Sequence, residues 1–129
     1  MTIVDASALV VAIAGSGDRA RIAEEALHDA ALAAPAMVRV EATSAVRAMA
    51  TSGEIDDTTA TRRLGQLLAI PIALHPVEPH LPRIWELRHN VTPYDAWYVA
   101  LGDALDAPLL TTDARLSRAS GVRCAFWVV

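Results

Sequence analysis

The chain has 129 residues, 53% hydrophobic and 20% charged, which excludes a disordered chain and allows one domain, expected to span 1–129. Its formal net charge of −4 excludes nucleic-acid coating by bulk charge. All 11 basic residues are arginines, so Schiff-base, pyridoxal-phosphate and P-loop lysine chemistry are excluded as well.

The uncharged stretches Ala6–Gly17 and Leu64–Val77 fall short of the ~20 residues a membrane-crossing helix needs, so no membrane association is expected. No basic segment precedes the first apolar run, and Cys124 is the only cysteine; a reducing cytoplasm is the expected location. The mean hydropathy of +0.32 is high for this size and suggests apolar surface covered by a partner chain.

In chain order, Thr2–Asp5 reads as a buried strand ending on a carboxylate, and Ala6–Ala14 as a helix. Gly15–Asp18 is a break with Asp18 as the expected N-cap of a helix over Arg19–Ala31. Leu32–Pro35 reads as a strand, Met37–Ser52 and Asp56–Ala69 as helices, and Ile70–His75 as a strand. Pro79–Asn90 is expected to be helical. Thr92 caps the next helix, with Pro93 at N1 and Asp95 at N3, running to about Asp106. Pro108–Thr111 is a strand, Ala114–Ala119 a short helix and Arg123–Val128 a final strand. Strands alternating with helices predict an α/β three-layer sandwich: a parallel sheet of about five strands flanked by helices.

Ligands of open α/β sheets bind beyond the carboxyl ends of the strands. Asp5 and Asp113 fall at strand ends, and Glu41 and Asp95 in the first turns of helices, so all four acids can meet at one sheet edge. Each also suits a helix N-terminus as a cap or dipole partner. Against that, Glu41 is bordered by Ala45 and Ala48, and Asp95 stacks over Val99 and Gly102, where an unpaired carboxylate is costly. Hard oxygen ligands without His or Cys suit Mg²⁺ or Mn²⁺, and such an edge suits phosphodiester hydrolysis. Arg39, Arg47, Arg115 and Arg118 lie close to the acids in sequence and form the candidate path for RNA. His28, His75, His80 and His89 show no ligand spacing. Trp85, Trp97, Tyr98, Phe126 and Trp127 are read as core or subunit interface rather than stacking platforms.

Four segments, Ile3–Leu9, Val38–Glu41, Thr92–Ala100 and Leu110–Leu116, together resemble the four motifs of PIN-domain ribonucleases, and most of all the VapC toxins of toxin–antitoxin pairs. The resemblance implies the PIN fold and an Mg²⁺- or Mn²⁺-dependent endoribonuclease, dimeric and neutralised by a VapB-type antitoxin. It further implies metal ligation by Asp5, Glu41, Asp95 and Asp113, supported by the hydroxyls of Ser7 and Thr112. The alternative is a PIN-like fold retained only for protein binding, which has no need of four converging carboxylates. Phosphotransfer modules with a strand-end aspartate also need a lysine, which is absent, and Gly15-Ser-Gly17 follows a helix, not a strand as a nucleotide loop would.

Overall fold

The computed structural model describes all 129 residues, Met1–Val129. Five strands, β1 (Thr2–Val4), β2 (Leu32–Pro35), β3 (Ile72–His75), β4 (Leu109–Thr111) and β5 (Phe126–Val128), form one parallel sheet in the order β3-β2-β1-β4-β5. Helices α1 (Ala6–Ala14) and α2 (Gly17–His28) connect β1 to β2, and α3 (Val38–Thr51) and α4 (Asp57–Ala69) connect β2 to β3. Helices α5 (Leu81–Glu86) and α6 (Pro93–Leu105) lead back to β4. The predicted α/β architecture is the one observed.

The chain steps outward from β1 to β2 to β3, then returns across the sheet to place β4 on the other side of β1. Parallel crossovers are right-handed, so reversing direction moves the connecting helices to the opposite face. Helices α1 to α4 pack together, whereas α6 lies across β1, β2 and β4 with α5 against it. The reversal makes the β1–β4 boundary a switch point, the place where open α/β sheets form a crevice.

The core is built where the two layers clamp the sheet. Ile3, Val4, Leu109 and Leu110 are fully buried, with Ile3 paired to Leu109 and Val4 to Leu110. Leu9 from α1 and Leu101 from α6 are also fully buried. Truncating one such side chain, as in Leu110→Ala, is worth about 2–5 kcal/mol. Many core positions are alanine, including Ala8, Ala42 and Ala96, which lets helices approach the sheet closely.

Several boundaries differ from the sequence expectation. Helix α2 starts at Gly17, whose φ of +76° favours glycine, and Asp18 occupies its first turn instead of the cap. That helix also stops at His28, short of Ala31. Strand β3 begins at Ile72, after Pro71, which has no N–H for the ladder. The helix expected over Pro79–Asn90 is a 3-10 turn at Glu78–His80 followed by the six-residue α5. Pro79 and Pro82 lie in the first turns of these two segments, and each proline fits only a helix start. The short helix after Asp113 is a 3-10 turn, Leu116–Arg118, and the final strand is limited to Phe126–Val128.

Candidate active site

The site is assembled at the carboxyl edge of β1 and β4. Asp5 follows β1 immediately and is the N-cap of α1, accepting the Ala8 amide on Oδ1 at 3.0 Å. The same oxygen accepts the Ser7 hydroxyl at 2.5 Å, while Oδ2 accepts the hydroxyl of Thr111 from the end of β4. Asp5 is 9% exposed and is held by three elements of structure at once: its strand β1, helix α1 through Ser7 and Ala8, and the neighbouring strand β4 through Thr111. Cap and candidate ligand are therefore the same residue, and the two readings of Asp5 do not compete.

Asp113 enters through the turn beyond β4. Its backbone N–H donates to Thr111 Oγ1 at 3.0 Å, and its Oδ1 accepts the amides of Arg115 (2.9 Å) and Leu116 (3.3 Å). Glu41 lies in the first turn of α3 and Asp95 in that of α6, whose cap Thr92 accepts the Asp95 amide as expected. Glu41 Oε1 accepts the Tyr98 hydroxyl at 2.5 Å, which ties α3 to α6 over the sheet edge.

Three of the four carboxylates have raised proton affinity. Burial pushes Asp5 above the usual carboxylate range, although hydrogen bonds from Ser7, Thr111 and Ala8 oppose it. Burial also raises Glu41, with the charges of Asp95 and Asp5 adding to it and the Tyr98 hydroxyl opposing. Asp95 is raised by burial first and then by the charges of Asp113 and Asp5. Tyr98 is held well above its ordinary value by burial and by Glu41 beside it.

No arginine or histidine forms an ion pair with any of the four; the ion pairs of the chain are Arg21–Glu25, Arg83–Glu86, Arg83–Asp103 and Arg123–Glu86. The positive field comes instead from helix N-termini, since Asp5, Glu41 and Asp95 each lie at the start of a helix. Desolvated carboxylates of one sign, without a counter-ion from the protein, form a hard-oxygen site suited to a divalent cation. No three of them are closed into a cage. An ion of the Mg²⁺ type is bound through one or two carboxylates with water completing its shell, so the donor set fits.

The structure separates the other candidates. Ser7 supports Asp5 as expected, and its Oγ also accepts the Thr112 amide at 3.1 Å. The supporting hydroxyl from β4 is that of Thr111, not Thr112, which contributes its backbone N–H. Side chains alternate across a strand, so only one of two adjacent threonines can face Asp5. Arg39 turns away from the acids: its guanidinium donates to the carbonyls of Ile70 (2.7 Å) and Leu67 (3.5 Å) at the end of α4. Arg47, Arg115 and Arg118 are exposed. Tyr98 and Thr111 are the two residues that sequence reasoning missed. Tyr98 lies one turn beyond Asp95, a spacing that puts both on one side of α6.

The chain is similar to known proteins. The PIN domain family model matches residues 2–122. Ribonuclease VapC1 of Mycobacterium tuberculosis is 42% identical over 131 residues, covering 98% of this chain and 96% of that protein. The chain belongs to the VapC ribonucleases of the PIN-domain family. Among solved structures, PAE2754 from Pyrobaculum aerophilum matches this PIN domain with a TM-score of 0.71 at 25% identity, covering 97% of this chain and 81% of that one. VapBC2 from Rickettsia felis, solved bound to a DNA fragment from its promoter, has the same fold, with a TM-score of 0.67 at 16% identity and 98% of each chain covered. The order and parallel pairing of the strands place the acids of this PIN domain at its β1–β4 switch point.

Proposed function

We infer that the chain is a divalent-metal-dependent endoribonuclease toxin, with Asp5, Glu41, Asp95 and Asp113 as its catalytic acids. The observation that carries this is the carboxylate edge at the switch point, desolvated and without a protein counter-ion. These residues would hold Mg²⁺ or Mn²⁺, which when bound activates a water and neutralises charge building on a phosphate. Asp5 is the most rigid of the acids, fixed by Ser7, Thr111 and the Ala8 amide. Asp95, half-buried and with raised proton affinity, is suited to orient the attacking water and hold its proton.

RNA would approach along Arg115 and Arg118, exposed on the turn beyond Asp113, and Arg47 on α3. Guanidinium groups bind phosphate bidentately and release counterions in doing so. A VapB-type antitoxin would silence the edge by placing a basic side chain against its carboxylates, supplying the positive charge the protein lacks there. Exposed Leu81, Trp85 and Tyr94 on the α5–α6 side offer apolar surface to a second copy in a homodimer. The single half-buried Cys124 suits a reducing cytoplasm. No helix is long and apolar enough to cross a membrane.

The test is cleavage of a panel of transfer, ribosomal and messenger RNA by the purified chain with Mg²⁺, Mn²⁺ or EDTA. Cleavage is expected with metal only, and Asp5→Asn and Asp95→Asn should each lower it by about a hundredfold or more while retaining the fold. Intact RNA under both metals would leave a protein-binding module as the function.

A further inference from the structure

Glu41 reaches the acidic edge on a long, flexible side chain, and little holds it there. Arg39, its nearest basic neighbour in sequence, is engaged with the carbonyls of Leu67 and Ile70. Its one side-chain hydrogen bond comes from Tyr98, whose hydroxyl donates to Oε1 at 2.5 Å.

Tyr98 is the opposite kind of residue. It is 2% exposed and sits in α6 among the buried Ala96, Val99 and Leu101, where close packing keeps its ring in one orientation. A phenol facing a carboxylate donates, so its hydroxyl hydrogen goes to Glu41. This hydroxyl therefore joins the first turn of α3 to the N-terminal half of α6. Those are the elements that deliver Glu41 and Asp95.

We propose that Tyr98 is the positioning residue of the metal edge: its buried hydroxyl claims Glu41 Oε1, so that Oε2 is presented to the side shared with Asp5 and Asp95. This rests on the metal-dependent function inferred above and adds to it how one ligand is pre-set. A carboxylate held by one oxygen has lost most of its rotamer freedom before the cation arrives. Hydrogen-bond partners of this kind orient metal ligands, and removing one weakens metal affinity. Tyr98 acts through Glu41, so its loss should be felt in cation binding more than in turnover at saturating cation.

The experiment is a double-mutant cycle on the full chain, reading Mn²⁺ binding by isothermal titration and, separately, the Mn²⁺ dependence of RNA cleavage. Tyr98→Phe should weaken Mn²⁺ binding by about ten- to a hundredfold. Its cleavage rate at saturating Mn²⁺ should stay within about threefold of the wild type. In a Glu41→Gln background the same change should alter Mn²⁺ affinity by less than about twofold, because the carboxylate it positions is gone. Unchanged affinity in Tyr98→Phe would overturn the proposal, and so would an equal loss in both backgrounds, which is what a structural strut between α3 and α6 gives. A wild type that takes up no Mn²⁺ would instead remove the metal-dependent function, and this proposal with it. If Tyr98→Phe fails to fold, Glu41→Asp serves, since its shorter side chain withdraws from the hydroxyl and leaves the packing of α6 untouched. It should show a comparable loss of Mn²⁺ affinity, and wild-type affinity there would overturn the proposal too.

Discussion

Thr111 and Asp5 join β4 to β1 through their side chains, and Thr111 Oγ1 accepts the Asp113 amide while it donates to Asp5 Oδ2. One hydroxyl thus orders two of the four acids. Thr111→Val keeps the shape and removes both bonds, leaving a buried carboxylate oxygen and an amide short of a partner. It should destabilise the fold by about 1–3 kcal/mol in urea unfolding. Thr112→Val, which spares the backbone N–H given to Ser7, should stay within about 0.5 kcal/mol of the wild type. Equal losses for the two threonines would contradict this division of labour.

The acidic edge should penalise folding in metal-free protein as pH rises. Asp5, Glu41 and Asp95 all have folded pKa values above their ordinary ones. An acid raised in this way contributes stability that is fully present below the unfolded value of about 4 and is lost as pH climbs through the folded value. Asp95→Asn removes part of the repulsion, so in EDTA its melting temperature should overtake that of the wild type as pH rises from 4 to 7.5. A gain of about 1 kcal/mol corresponds to about 3–5 °C for a chain of this size. Added Mn²⁺ should reverse the order, stabilising the wild type by about 2.7 kcal/mol at a hundred times its Kd. A variant less stable in EDTA at every pH would mean that Asp95 serves only the dipole of α6.

The arginines should divide into two groups. Arg39→Ala strips the α4 carbonyls of their donor and should cost about 1–2 kcal/mol of stability, with RNA affinity unchanged. Arg115→Ala and Arg118→Ala should leave stability within about 0.5 kcal/mol and reduce the slope of log affinity against log salt by about 0.7 for each phosphate that is no longer neutralised. Filter binding to a non-cleavable RNA across a salt series reads both effects, and an unchanged slope would move the RNA path elsewhere.

Asp106 ends α6 in the left-handed region, at φ 48° and ψ 49°, the position where glycine is favoured. Asp106→Gly should therefore stabilise the chain by about 0.5–1 kcal/mol, read as a shift in the urea midpoint without a change in slope. A loss of stability would show that the aspartate side chain makes a contribution larger than the backbone strain.

The strands, the parallel α/β class and the positions of the four acids at the ends of elements are legible in the sequence because they depend on short-range rules. Buried runs such as Thr2–Val4 and Leu109–Thr111 announce strands, and Thr92-Pro93 announces the start of α6. The two hydrogen bonds that organise the edge are not legible in this way. Thr111 to Asp5 and Tyr98 to Glu41 join residues far apart in the chain, and their identity depends on strand register and on which face of α6 meets α3. A threonine next to a threonine, or a tyrosine in an apolar helix, carries no local mark of its partner. Arg39 misled for a similar reason: closeness to Glu41 in sequence says nothing about where a long side chain turns, and the end of α4 lies within its reach.

The return of the chain across the sheet has a consequence for the order of events during synthesis. Strand β4 enters between β1 and β5 only after α6 has been made, and Asp113 follows it near the end of the chain. A nascent chain therefore carries Asp5 and Glu41 out of the ribosome long before the pairings that would complete the edge exist. Pairings this distant in sequence form late, once loop closure is outweighed by the core they complete. Until β4 has paired with β1, Thr111 cannot reach Asp5, and neither Asp5 nor Asp113 has the hydroxyl that orders it.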